Sequence, residues 1–159
     1  MRLYIFDADD TLRRTLVPGQ PSPRAPEEWE LLPGVAKRLR RIRWGEDAVL
    51  GIASNQDQVG YGHVDLSVAH RLLVDLAEAA SGWRPPAEAV VLCPHRLDEP
   101  CECRKPEAGM LRRILSYYGI PADRALFVGD AETDRDAARR AGVPFLPARD
   151  FFGWSEDRR

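Results

Sequence analysis

Long apolar runs are missing from this 159-residue chain. No stretch approaches the ~20 consecutive apolar residues that span a bilayer, so no membrane-spanning helix is expected. A surplus of one charge is missing too: 23 Lys and Arg stand against 25 Asp and Glu, a formal net charge of −2. That balance gives no general pull toward nucleic acid or an anionic membrane. Repeats are absent, and no linker divides the interior. The opening residues, Met1-Arg-Leu-Tyr-Ile-Phe-Asp7, turn acidic after a few apolar positions, unlike a secretory signal. The expectation is one domain over 1–159, monomeric and cytoplasmic, long enough to bury a core.

Cysteine is scarce, and its placement is uneven. The chain has three, all within residues 93–103, in the run Cys93-Pro-His95-Arg-Leu-Asp-Glu-Pro-Cys101-Glu-Cys103. In a reducing compartment, cysteines clustered around a histidine favour a metal over a disulfide.

The elements alternate. Leu3 to Phe6 reads as a buried strand, because a short apolar run stops at acid. Residues 13–32, with four prolines and one glycine, read as a long loop. Pro33-Gly34 opens a helix with Val35, Leu39 and Ile42 on one face and arginines on the other. Val49 to Ala53 is a strand. A helix over 66–80 follows, with Val68, Leu72, Leu76 and Ala79 inward. Ala89 to Leu92 is a strand that runs into the cysteines. Pro106 to Tyr118 is a helix ending at Gly119. Ala125 to Val128 is a strand, Glu132 to Ala141 a helix closed by Gly142, and Val143 to Leu146 a fifth strand. The tail from Pro147 is expected to fray at its polar end. This alternation implies an α/β fold, a doubly wound parallel sheet with right-handed crossovers. In such sheets ligands bind beyond the carboxyl ends of the strands. Asp7, Ser54, Cys93 and Asp130 all fall at such ends.

Asp7 and Asp9 stand two apart just past the first strand, and Asp130 and Asp134 follow the fourth. Crowded carboxylates repel each other, and a divalent cation relieves the repulsion. Mg²⁺ suits a set of carboxylate oxygens and water. A carboxylate beside Mg²⁺ can attack phosphorus, while a second acid protonates the leaving oxygen. The hydroxyl of Ser54 and the charge of Lys105 suit a phosphoryl group.

Four motifs now stand in order: Asp7-x-Asp9-x-Thr11, Ser54-Asn55, Lys105, and Gly129-Asp130-x-x-x-Asp134. In this order the chain resembles the haloacid dehalogenase (HAD) superfamily of phosphatases. The resemblance implies a HAD-like, Rossmann-like sheet with no large cap domain, since no stretch between the motifs is long enough for one. It implies that Asp7 is the nucleophile and a Mg²⁺ ligand. It implies that Asp9 is the general acid/base and lends its backbone carbonyl to Mg²⁺. Thr11, Ser54, Asn55, Arg104 and Lys105 would hold substrate or shape its cradle. Asp130 and Asp134 would complete the Mg²⁺ site.

The cysteine run followed by Arg104-Lys105-Pro106 resembles the zinc loop of two groups within subfamily IIIA. These are the heptose 1,7-bisphosphate phosphatases and the histidinol-phosphate phosphatases. There Zn²⁺ is held by three cysteines and a histidine, which implies Cys93, His95, Cys101 and Cys103 here. A closed set of four is structural. Three positions depart from those groups: Ala131 replaces a basic residue, Gly60-Tyr61-Gly62-His63 replaces an Ala-Arg-Gly element, and Asp10 replaces a glycine.

The expected activity is Mg²⁺-dependent hydrolysis of a small phosphorylated metabolite of the heptose or histidinol type. Two rivals stand beside it. Ala131 and an open site suggest a 3′-phosphatase of nucleic-acid ends, against which the acidic net charge argues. A zinc-stabilised binding module without catalysis is the other, against which the intact acids argue. Tyr61 is a candidate for touching substrate, and Arg13 and Arg14 for meeting a second anionic group.

Overall fold

The structure, a computed structural model, describes residues 1–155. Its strands are β1 (Arg2–Phe6), β2 (Arg13–Thr15), β3 (Trp29–Leu31), β4 (Ala48–Asn55), β5 (Val90–Cys93), β6 (Ala125–Gly129) and β7 (Phe145–Pro147). Its helices are α1 (Val35–Leu39), α2 (Leu66–Ser81), α3 (Gly109–Tyr118), α4 (Glu132–Ala141) and α5 (Ala148–Phe152). Five strands form one parallel sheet in the order β5-β4-β1-β6-β7.

Side chains alternate across a strand, so each central strand feeds two cores. From β1, Leu3 and Ile5 enter one core, with Met110, Leu111 and Ile114 of α3 and Ala137 of α4. Phe6 enters the other, with Leu39 of α1, Leu73 and Leu76 of α2, and Phe151 of α5. The result is three layers, helices on both faces of the sheet, as the alternation implies. From β1 the chain first builds β4 and β5 on one side, then β6 and β7 on the other. The order reverses between β1 and β6, and the crevice there is where an open α/β sheet holds its ligand.

Six local expectations are corrected. Residues 13–32 are not a bare loop, because β2 and β3 pair as an antiparallel hairpin. The four prolines all fall in the connection between these strands, where no ladder N–H is needed. The helix after Gly34 stops at Leu39, because the Ile42 N–H and the Trp44 indole N–H both donate to the Leu39 carbonyl. Helix α2 buries Ala69, Leu73, Ala77 and Ala80 beside Leu72 and Leu76, while Val68 faces solvent. Helix α3 begins at Gly109, not Pro106, and β7 begins at Phe145, not Val143. The segment after Pro147 forms α5, held by Phe151, which is 6% exposed. The polar end at 156–159 lies outside the described residues. Among those described, no helix is long and apolar enough to cross a membrane.

Candidate active site

Asp7 follows β1 directly, and its N–H donates to the Val128 carbonyl of β6 at 3.0 Å. That bond carries the β1–β6 pairing one step past the strand and brings Asp7 to Asp130 at the end of β6. Thr11 Oγ1, fully buried, lies 3.2 Å from Asp7 Oδ2 and 3.3 Å from Asp130 Oδ1. One oxygen each of Asp7, Asp130 and Asp134 falls within a 4.8 Å span. Asp10, which replaces the expected glycine, has φ +64°, a left-handed conformation that Asp tolerates better than most residues.

Lys105 is the cation of this cluster and is 4% exposed. Its Nζ lies 2.8 Å from Asp7 Oδ1 and 2.7 Å from Asp134 Oδ1, and it donates to the Ala53 carbonyl at 2.9 Å. Asn55 clamps the Lys105 backbone from both sides. Its Oδ1 accepts the Lys105 N–H at 3.1 Å, and its Nδ2 donates to the Lys105 carbonyl at 3.4 Å. The expected substrate residue Asn55 is thus occupied in holding Lys105.

Asp134, expected among the metal ligands, also has other work. Its Oδ1 meets Lys105, and its Oδ2 accepts the N–H groups of Asp130 and Ala131 at 3.1 and 3.0 Å. A Cβ at Gly129 would lie 2.5 Å from Asp134 Oδ2, so glycine there is what lets this carboxylate fold back. Asp7 Oδ2 and Asp130 Oδ1 both face the Thr11 hydroxyl rather than Lys105.

Electrostatics agree with a cation site. Burial pushes the Asp7 carboxyl up to about 7, against the pull of Lys105, and Asp130 adds to the rise. Burial also raises Asp130 and Asp134, each helped by neighbouring carboxylates. Three carboxyls raised together are a charge deficit that a hard divalent ion fits by donor type.

Asp9 sits in a separate polar network. Its Oδ1 accepts from Arg13 Nε at 2.8 Å, and its Oδ2 accepts from Ser22 Oγ at 2.6 Å and Gln56 Nε2 at 2.9 Å. Gln56 Nε2 also donates to Ser54 Oγ at 2.8 Å, which ties Asp9 to the end of β4. Arg13 is 1% exposed, so it faces inward onto Asp9 rather than outward to a second anion. Arg14, its neighbour on β2, points to the opposite face. Ser22 and Gln56 escape the sequence reading. Gln56 carried a usable signal, since it lies two past Ser54 near a strand end, whereas Ser22 in a proline-rich connection carried none.

The four expected zinc ligands do converge. Cys93 Sγ lies 3.6 Å from Cys101 Sγ, 2.9 Å from Cys103 Sγ and 3.3 Å from His95 Nδ1, and His95 Nδ1 lies 3.1 Å from Cys103 Sγ. All four donors fall within 4.8 Å of one another. Zn–S bonds of ~2.3 Å in a tetrahedron place sulfurs ~3.7 Å apart; the Cys93–Cys101 separation matches this and the Cys93–Cys103 one is shorter, so it is the donor types and their convergence that fit zinc. The cysteines are free thiols. Arg104, expected to meet substrate, instead donates to the carbonyls of His95, Arg96 (2.6 Å) and Glu99 (3.5 Å). It braces the loop from within.

This loop also carries the segment after β4. A Cβ at Gly60 would lie 2.6 Å from the Pro94 carbonyl oxygen, so the two loops are in backbone contact. The Leu97 N–H donates to Tyr61 Oη at 3.2 Å, which gives Tyr61 a structural partner.

The family described as HAD-hyrolase-like matches residues 102–147. The chain is 31% identical over 153 residues to a D-glycero-beta-D-manno-heptose-1,7-bisphosphate 7-phosphatase of Pseudomonas putida, covering 90% of this chain and 79% of that protein. The chain belongs to the HAD-like phosphatase family. A second relative of the same name, from Pseudomonas aeruginosa, is 34% identical over 113 residues, covering 71% of this chain and 63% of that one. Among solved structures, the D,D-heptose 1,7-bisphosphate phosphatase of B. bronchiseptica, complexed with magnesium and phosphate, superimposes with a TM-score of 0.73 at 27% identity. It covers 98% of this chain and 88% of the other. Family membership and the three-layer sheet therefore agree with the order of motifs.

Proposed function

We propose that the protein is a Mg²⁺-dependent phosphomonoesterase that works through an aspartyl-phosphate on a small phosphorylated sugar. The observation that carries this is the ring of Lys105, Thr11 and Asp130 around the Asp7 carboxylate, at the point where the strand order reverses. The names of the relatives, heptose bisphosphate phosphatases, support a sugar phosphate as substrate. The magnesium and phosphate bound by the B. bronchiseptica protein support the choice of cation.

Asp7 and Asp130 would hold Mg²⁺, with the Asp9 carbonyl completing the protein ligands. Bound there, the ion neutralises charge on the acids and on the transferring phosphoryl group. Lys105 and Ser54 cradle the phosphoryl oxygens. An oxygen of Asp7 attacks phosphorus, and the bond from phosphorus to the sugar oxygen breaks. Asp9, which must first take up a proton beside Arg13, Ser22 and Gln56, gives that proton to the departing alkoxide. Water then attacks the aspartyl-phosphate, Asp9 takes the proton from that water, and phosphate leaves with Asp7 restored. The zinc loop has no open ligand position and supports Lys105 from outside the chemistry.

The test is phosphate release in the presence of Mg²⁺ from heptose 1,7-bisphosphate, histidinol phosphate, an aryl phosphate and a 3′-phosphorylated oligonucleotide. Fastest turnover of the sugar phosphate is expected. No release from any of them would end the reading, and preference for the oligonucleotide would replace its substrate.

A further inference from the structure

The connection between β2 and β3 returns to Asp9 at Ser22. Ser22 is 5% exposed, and its Oγ donates to Asp9 Oδ2 at 2.6 Å. Its carbonyl accepts twice, from Gln20 Nε2 at 2.8 Å and from Gln58 Nε2 at 3.0 Å. Gln58 is 3% exposed, and its Oε1 accepts from Arg24 Nε at 2.7 Å. Glu28 closes the network, accepting from Gln20 Nε2 at 2.6 Å and from the Arg24 N–H at 2.9 Å.

Two loops thus grip one another through the buried amide of Gln58, one following β2 and the other following β4. The grip delivers one hydroxyl, Ser22 Oγ, to one oxygen, Asp9 Oδ2. A serine on an unsupported loop would give up such a bond, because the entropy of the loop opposes holding it. Here the residues on both sides of Ser22 are tied down, so the hydroxyl has a fixed place.

Asp9 is the proton donor of the proposed reaction, and the present inference rests on that reading. A general acid acts only within hydrogen-bond reach of the leaving oxygen. Misplacement by about 1 Å costs ~10²-fold. We propose that Ser22 is a positioning residue: held by the Gln58 clasp, it sets the direction of the Asp9 carboxyl and so suits the site to alkyl phosphates. When an Asp7 oxygen bonds to phosphorus, the bond from phosphorus to the substrate oxygen breaks, and its electron pair stays on that oxygen. A sugar alkoxide is strongly basic and takes the Asp9 proton as it departs. A nitrophenolate departs as the anion and needs no proton.

The test compares kcat/KM for heptose 1,7-bisphosphate and for p-nitrophenyl phosphate at saturating Mg²⁺. This constant covers the steps up to departure of the leaving group, so hydrolysis of the aspartyl-phosphate does not enter it. The ratio of the two values is also independent of how much of a variant is folded. Ser22→Ala is expected to lower the value for the sugar phosphate about thirtyfold more than that for the aryl phosphate, a part of the ~10²–10⁴ that general acid catalysis supplies. Gln58→Leu removes the clasp but no partner of Asp9, and should shift the ratio the same way by less. Asp9→Asn should shift it furthest, and adding Ser22→Ala to that variant should move it no further. An unchanged ratio in Ser22→Ala, including an equal fall of both values, would overturn the proposal. So would a shift favouring the sugar phosphate, or a further shift in the Asp9→Asn background. Release from neither substrate by the unmutated protein would instead end the phosphatase reading, and this inference with it.

Discussion

The Lys105 ammonium lies 2.8 Å from Asp7 Oδ1 across 98 residues of sequence, and both side chains are buried. The pair joins the loop after β5 to the end of β1, so the cation is part of the fold as well as of the site. Breaking a buried pair by removing one partner costs ~3–5 kcal/mol, because the other charge stays behind. Lys105→Met should therefore lower the free energy of unfolding by about 3 kcal/mol in urea titrations and abolish turnover. Unchanged stability would mean that the ammonium contributes nothing to the fold.

Asp7→Asn should behave oppositely. The amide keeps the shape of the carboxyl and removes a buried charge that burial and Asp130 already disfavour, while Lys105 keeps Asp134 as its counter-charge at 2.7 Å and so is not left unpaired. Turnover should vanish while the melting temperature at neutral pH holds or rises. Retained hydrolysis by this variant would remove Asp7 as the nucleophile.

The pH dependence has a defined sign. The Asp7 carboxyl is raised to about 7 in the metal-free fold. The folded state therefore binds a proton that the unfolded chain, with an ordinary carboxyl near 4, releases earlier. The stability this contributes is full below pH ~4 and fades as pH climbs through about 7. Mg²⁺ needs the deprotonated form, so its stabilising effect should grow over the same window. Thermal melts with and without Mg²⁺ at pH 6 and pH 8 check this, and a larger Mg²⁺ effect at pH 6 would contradict it.

Gly129→Ala probes the turn that seats Asp134. A methyl group would meet the Asp134 carboxylate at 2.5–2.7 Å. Relief requires moving a side chain that holds both Lys105 and the N–H groups of Asp130 and Ala131. A loss of about 2 kcal/mol is expected from such overpacking, with weaker Mg²⁺ binding in calorimetry. Wild-type values for both would show that the turn relaxes freely.

Zinc removal should act at a distance. The loop that ends in Lys105 is braced by Arg104, and it touches the segment at Gly60 and Tyr61. Metal content measured beside activity and melting temperature, before and after chelation, should fall together with both. Full activity in zinc-free protein would separate the cluster from the site.

Much of this site is legible in the chain because each acid is tied to a strand end. Asp7, Ser54 and Asp130 follow apolar runs, so the periodicity that marks the strand also marks the residue. The three cysteines and His95 are legible for a similar reason, since their spacing is local. Asn55 and Arg104 were legible as members of motifs but not in their partners, because a motif records position and not direction. Asn55 turns to the Lys105 backbone and Arg104 to the loop carbonyls, and both choices depend on segments that only folding brings near. The hairpin of β2 and β3 escaped for another reason: strands of three residues carry no measurable period.

What the sequence alone determined is the five strands of the parallel sheet, the acids at their ends and the cysteine cluster, because runs of apolar residues and short-range spacing are properties of the chain itself. What only the tertiary structure decided is which partners each acid's oxygens meet. Asp134 is spent on Lys105 and backbone N–H groups, and Asp9 on Arg13, Ser22 and Gln56. Hydrogen-bond partners are assigned by three-dimensional proximity, and proximity across the sheet is written in no local pattern.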